Sequence, residues 1–302
     1  MTGPFVAHVA PNGMVGKAFI PIFVDAAIKG EIEKLKFITS KETAILKEAV
    51  TSASNGNVEF VVIDYTDKRA FLAALQGVDI VVSTMGWNVG QLKSEQALIE
   101  AALEARVKVY FNSDFGVDYD EGTWGAPVLE GKETHVAAAR AAGLRTVSIA
   151  NGVFMPFLRT SFLGVNGHEW EIAEDGNSSY ALIDISDAGR YTLRAIMLAH
   201  QDPSRIPDRV RVYGDSKTLN EYASIVESLT KTPVSKKYVS RSQLVAEWEC
   251  PNGKKDAPFL FLRIMAGTNA ADLLGREHNE LLNPGHRYFT PISYEEFVKS
   301  TL

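Results

Sequence analysis

A doubly wound α/β fold, a parallel sheet with helices on both faces, is the class this chain predicts. Short apolar runs alternate with longer helical patterns through the first half, the rhythm of strand–helix crossovers. Several of those runs are continuously apolar, as strands buried on both faces are. The chain also opens on a strand, a glycine-bearing turn and a helix, in "PFVAHVAPNGMVGKAFIPIF".

The elements follow in order. "FVAHVA" reads as the first strand, and "VGKAFIPIFVDAAIKG" has helical spacing and stops at Gly30, a C-terminal glycine. "LKFITS" is the second strand. "VEFVVIDYT" and "VDIVVSTMG" are buried-type strands with the short helix "DKRAFLAALQG" between them. "QLKSEQALIEAALEAR" is an amphipathic helix, "VKVYFNS" a strand, "KETHVAAARAAG" a helix and "RTVSIANG" a strand. After about residue 155 the pattern loosens. A loop-rich stretch precedes the helix "AGRYTLRAIMLAH", the short strand "DRVRVYG" and the helix "TLNEYASIVESLT", capped by Thr218 or Ser216. The tail, "LLNPGHRYFTPISYEEFVKSTL", reads as a Pro- and Gly-marked loop. The expected division is residues 1–155 as a nucleotide-binding domain and 156–302 as a smaller substrate-side lobe, with about 183–230 packing back on the sheet.

Composition narrows the function. The chain has 302 residues, 46% hydrophobic, enough for a sizeable core. A net charge of −6 argues against nucleic acid as the main partner. The start of the sequence lacks a signal-peptide pattern and no apolar run approaches a membrane span, so a cytoplasmic protein is expected. Cys250 is the single cysteine, which leaves no disulfide framework and no thiolate metal cluster. The histidines show no metal spacing: "HEWE" at His168 lacks the second histidine of a zinc helix, so no metal is expected.

The glycine turn carries the sharpest signal. In a dinucleotide loop the first glycine permits a tight turn, the second lets backbone approach the pyrophosphate, and the third lets helix and strand pack closely. Here those positions are Ala10, Gly13 and Gly16. Alanine is poorly suited to a positive φ, and Pro11 removes an amide donor. Asn12, Gly13, Met14 and Val15 would line the phosphate side, at the positive end of the helix. Alone, a G-x-x-G after a strand is as often a plain turn; its strand–turn–helix setting points to nucleotide binding.

The end of the second strand bears on which nucleotide. An acidic residue there would hold a ribose hydroxyl, whereas the chain offers Ser40 and Lys41, which favour NADP over NAD. Lys41 could otherwise be a solvated loop lysine. Asp64, after the third strand, would border the adenine. Ser83, Thr84, Met85 and Gly86, with Trp87, would run along the pyrophosphate and nicotinamide side.

The ordered set "HVAPNGMVG", "VDIVVSTMG", "VKVYFNSDFG" and "KETHVAAARAAGLRTVSIANGVF" resembles the NmrA-like and isoflavone-reductase-like group of atypical short-chain dehydrogenases. The tail "LNPGHRYFTPISYEEFV" is similar to fungal NmrA-like members. The resemblance covers nearly the whole chain and implies a Rossmann-like fold, NADPH or NADP as cofactor, and reduction of a small aromatic or conjugated metabolite. It further implies that Lys132, eleven residues before Gly143, is the proton-handling lysine and touches the cofactor. On sequence alone a first-turn lysine facing solvent is the commoner reading, and only the family spacing turns it toward function. A lysine kept from water beside nicotinamide can exchange protons near neutrality. Asn112 and Ser113, in the segment matching the family's Pro-Ser-Glu-Phe-Gly, are further cofactor candidates, and Asn151, after the next strand, faces the same strand-end region and could contact substrate or nicotinamide. His135 shares a helix face with Lys132 and is a second acid–base candidate, or a partly exposed helix histidine. Phe154, Met155 and Phe157 follow as possible pocket wall or core. The chain departs from the family at Ala10, at Asn112 for proline and at Asp114 for glutamate, so a plant substrate should not be copied onto it. Tyr213 and Lys217 match Tyr-x-x-x-Lys but straddle a strand end and a glycine turn, and so do not share a helix face. Two other functions fit the scaffold: a non-redox isomerase or cyclase built on Lys132 and His135, and a regulator that senses NADP and binds a protein partner. A homodimer is a possible assembly.

Overall fold

The computed structural model describes residues 2–53, 56–86, 89–120, 122–256 and 259–302. In chain order its first half alternates β1 (Phe5–Val9), α1 (Met14–Ile28), β2 (Lys34–Thr39), α2 (Ala44–Ser52), β3 (Val58–Val62), α3 (Lys68–Ala74) and β4 (Ile80–Ser83). Then come α4 (Val89–Glu104), β5 (Val109–Phe111), α5 (Pro127–Ala141) and β6 (Thr146–Ala150). The second half holds the short strands β7 (Val153–Phe154), β8 (Val165–Asn166), β9 (Glu169–Ala173) and β10 (Ser179–Ile183), then α6 (Ile185–Gln201) and β11 (Arg209–Arg211). It closes with β12 (Asp215–Thr218), α7 (Leu219–Thr230), β13 (Ser235–Val239), α8 (Arg241–Glu249), α9 (Gly253–Asp256), α10 (Phe261–Ile264), α11 (Asn279–Leu282) and α12 (Tyr294–Thr301).

Two compact units emerge. The first joins Met1–Phe115, Pro127–Ile149 and Gly189–Val210; the second joins Gly116–Ala126, Ala150–Ala188 and Arg211–Leu302. The first unit is built on a seven-stranded sheet of order β11-β6-β5-β4-β1-β2-β3. The pairings from β3 through to β6 are all parallel, and the doubly wound α/β expectation holds. The chain builds outward from β1 to β3, then returns to build β4 to β6 on the other side. The switch point therefore falls between the carboxyl ends of β1 and β4, where such sheets hold ligands.

On one face, β-strand residues Ala7, Val9, Val81 and Tyr110 bury with Phe71, Leu75, Leu98 and Ala102 from the helical segments. On the other face an aromatic set gathers around His8, which lies 5.3 Å from Phe23 and 5.6 Å from Phe37, ring centre to ring centre. His8 is fully buried, and burial pulls its pKa down to about 3, so the ring is neutral. Its Nε2 stands 3.0 Å from Thr84 Oγ1, while that hydroxyl already faces the carbonyls of Val9 at 2.9 Å and Ala10 at 3.1 Å. A threonine hydroxyl has one proton to give. With that proton aimed at the carbonyls, His8 is the donor through Nε2–H.

The second unit contains two three-stranded sheets, β12-β10-β7 and β13-β9-β8, of which β8, β9 and β10 lie within the stretch expected to be loop-rich. β7 and β8 have two residues each, too few for an alternation to show in the sequence. The tail also differs from its expectation. Ser293 and Glu296 form a reciprocal capping box, and α12 follows as a helix, not a loop. Thr218 caps α7 in the same way with Glu221. Tyr213 precedes β12, while Lys217 lies within it and pairs with Asp215, which removes the Tyr-x-x-x-Lys match from consideration. Among the described residues no helix is long and apolar enough to cross a membrane.

Candidate functional site

The glycine turn sits at the switch point of the first unit. Ala10 adopts φ 60°, the left-handed conformation that the missing glycine would supply. The alanine thus keeps the turn at a cost in strain, held by its amide on the Ile38 carbonyl at 2.9 Å and by Thr84 on its own carbonyl. Gly16 has no room for a side chain: a Cβ there would stand 2.7 Å from Pro11 Cα and 2.8 Å from the Ala10 oxygen. Gly13 is different. A Cβ there would meet nothing nearer than the Thr84 oxygen at 3.8 Å, and its φ of −72° suits any residue. The protein's own packing therefore does not require glycine at residue 13; the space in front of it lies open. Gly13 is also the N-cap of α1 and offers no side chain to its first-turn amides. An exposed bare backbone at a helix N-terminus fits a pyrophosphate. Met14 beside it is half exposed and Val15 partly so.

Asn12 ties this turn to the end of β2. Its Nδ2 donates to Thr39 Oγ1 and to the Lys41 carbonyl, both at 2.8 Å, and its Oδ1 accepts from Thr43 Oγ1 at 2.9 Å. The glycine turn and the Ser40–Lys41 loop are thereby hydrogen-bonded to each other, with Ser40 and Lys41 exposed. Asp64 is exposed and turned onto Thr66, whose amide and hydroxyl both donate to it at 2.8 Å and hold its carboxyl below the usual range. Tyr65 donates to the Ile38 carbonyl at 3.1 Å and stacks on Phe71.

At the end of β4, Ser83, Thr84 and Met85 are buried and Gly86 is exposed. Trp87 lies outside the described residues. The neighbouring β5 end turns its polar groups inward. Ser148 Oγ stands 3.2 Å from Asn112 Oδ1 and 2.9 Å from Asp114 Oδ2, and Asn112 Nδ2 donates to Asp114. Asn112, singled out for the cofactor, therefore spends its side chain on internal structure. Ser113 donates its hydroxyl to the Met85 carbonyl, binding the β4 and β5 ends together.

Lys132 is 6% exposed, so the solvent-facing alternative is overturned. It projects from α5 and its Nζ donates to the Ser113 carbonyl. Glu95, on α4, is the residue that sequence reading missed. It is 4% exposed, and its Oε1 faces the Ser113 amide and the Tyr110 hydroxyl, each at 3.4 Å. Burial pushes its carboxyl above the usual range, Lys132 pulls it back and Asp114 pushes again. His135, three residues on from Lys132, is half-buried, and that burial lowers its pKa. Its Nδ1 has no partner among the described residues.

Asn151 belongs to the second unit. It is fully buried, its amide nitrogen donates to the Gly152 carbonyl, and its Oδ1 has no partner among the described residues. In the same unit Phe154, Phe157, Phe162 and Phe259 form a chain of ring contacts, with Phe162 and Phe259 centres 4.2 Å apart and Phe162 40% exposed. No group of three or more His, Cys, Asp or Glu placed to hold a metal occurs among the described residues.

The model of the NmrA-like family matches residues 11–257. A phenylcoumaran benzylic ether reductase, Pyrc5, of Pyrus communis is 29% identical over 62% of this chain and 63% of its own. The asnovolin J 5',6'-dehydrogenase nvfM of Aspergillus novofumigatus is 28% identical over 98% of this chain and 95% of its own. Among solved structures, AtPrR2 with NADP+ and (+)pinoresinol superimposes with a TM-score of 0.81 at 20% identity, covering 100% of both chains, which shows a shared fold.

Proposed function

Because the chain belongs to the NmrA-like family, we propose that it is an NADPH-dependent reductase of a small aromatic or conjugated metabolite. The observation that carries the cofactor reading is the turn itself. Ala10 holds a glycine's conformation, and Gly13 leaves a gap that the protein does not use. The names of the relatives, a benzylic ether reductase and a dehydrogenase, support the reaction class.

Gly13, Met14 and Val15 would hold the pyrophosphate, with Asn12 fixing the turn. Ser40 and Lys41 would take the 2′-phosphate, and Asp64 would border the adenine. Ser83 to Gly86 and Ser113 would flank the rest of the dinucleotide. NADPH, when bound, supplies the hydride. Lys132 holds the proton that the reduced substrate takes up, kept from water by its burial and aimed by the Ser113 carbonyl. His135 is the second group able to carry that proton. Within the second unit, Phe154, Phe157 and Phe162 form an apolar aromatic cluster of the kind that receives a ring-bearing molecule. Solution as a cytoplasmic homodimer completes the reading.

Lys132→Met tests it. With conjugated carbonyl and benzylic ether substrates, turnover should fall by about 10²-fold or more while NADPH binds nearly as before. Full turnover in the variant, or turnover of parent enzyme without nicotinamide, would refute the role and favour an isomerase or cyclase.

A further inference from the structure

Glu95 and Lys132 hold opposite ends of one residue. Lys132 Nζ donates to the Ser113 carbonyl, and Ser113 N–H points at Glu95 Oε1 from 3.4 Å. The two side chains come from α4 and α5, which pack against each other, and both are more than nine-tenths buried. At 3.4 Å the contacts of Ser113 N–H and Tyr110 OH with Glu95 are long, too weak to compensate a buried carboxylate. The Lys132 ammonium, on the carbonyl side of the same Ser113, is the positive charge that acts on it. The other ionisable groups acting on Glu95 are Asp114, from the segment after β5, and Tyr110, from β5 itself. Asp114 already accepts from Ser148 and Asn112.

We propose that Glu95 is the counter-ion and positioning partner of Lys132, keeping it charged and its Nζ drawn toward Ser113. A buried lysine without an anion beside it sheds its proton and becomes a base. With Glu95 in place, Lys132 is a proton donor. Once that proton leaves, the pull of Lys132 on the Glu95 carboxyl is gone, burial and Asp114 dominate, and Glu95 itself tends to take up a proton.

This inference deepens the reductase reading, which gives Lys132 its task, but its test does not depend on turnover. Lysine labelled with ¹³C at Cε is followed by NMR in cofactor-free protein, the Lys132 signal being assigned by its loss in Lys132→Arg. Glu95→Gln keeps the shape and an acceptor for Ser113 N–H while removing the charge. The Lys132 titration midpoint should fall by about one pH unit or more in this variant. An unchanged midpoint in the folded variant overturns the proposal. If Glu95→Gln does not fold, the double variant Glu95→Gln/Lys132→Met, which leaves no uncompensated charge, should fold and melt higher. A double variant no more stable than the single one also overturns it.

Discussion

Replacing Ala10 by glycine should make the protein more stable, against the usual cost of adding a glycine. Ala10 sits at φ 60° in a turn fixed by the Ile38 carbonyl on one side and Thr84 on the other. The left-handed conformation costs an L-residue about 1–2 kcal/mol. Glycine removes that strain but gives the unfolded chain more freedom, which offsets about 0.4–1 kcal/mol. The net gain is about 0.5–1 kcal/mol, or about 1–4 °C in melting temperature for a domain of this size. Ala10→Val, a branched residue in the same conformation, should lose more than about 1 kcal/mol. Urea unfolding of the three proteins, monitored by tryptophan fluorescence, reads both differences. NADPH affinity of Ala10→Gly should stay within about twofold of the parent, since the turn already has its final geometry. A destabilised Ala10→Gly, or a neutral Ala10→Val, would refute the claim that the alanine is strained to preserve a glycine's role.

Three further predictions follow from the same unit. His8 is buried neutral at a pKa of about 3 against 6.5 in an unfolded chain, so the unfolded state binds the extra proton; stability is full above pH 6.5 and declines as pH falls toward 3. The loss attributable to His8 is about 2 kcal/mol at pH 5, and His8→Leu should remove that part of the acid sensitivity in paired urea melts at pH 7.5 and 5. Gly13→Ala should fold like the parent yet lose NADPH affinity by at least about tenfold, whereas Gly16→Ala should unfold the turn because its Cβ would collide with Pro11 and Ala10 backbone; thermal melts and calorimetric titration separate the two. Asn12→Ala should weaken NADPH by about tenfold and NADH by less, because it frees the Lys41 loop from the turn; equal weakening of both would detach Asn12 from phosphate selectivity.

The sheet was legible because its strands are continuous apolar runs and its helices long, signals carried within each segment. The glycine positions were legible by spacing, whereas Lys132 came into view only through the family resemblance. The rest depends on partners far along the chain. Glu95 stands in "QLKSEQALIEAALEAR", where a glutamate reads as solvated face; only packing of α4 against α5 and the placement of Ser113 turn it inward. His8 looks like an odd polar residue in a strand until Thr84, 76 residues on, meets it. Asn12 is a variable position of the turn by pattern, and its role follows from Thr39, Lys41 and Thr43 across the sheet. The short strands of the second unit carry too few residues for a period to show. The S-x-x-E pattern at Ser293 is itself a start signal for α12.

The central claim is that this turn still binds a dinucleotide and prefers one bearing a 2′-phosphate. Calorimetric titration of the purified protein with NADPH, NADP+ and NADH tests it most directly. Micromolar binding of NADPH and NADP+, with NADH weaker by about tenfold or more, is the predicted result. Absence of binding to all three, or an equal preference for NADH, would contradict it.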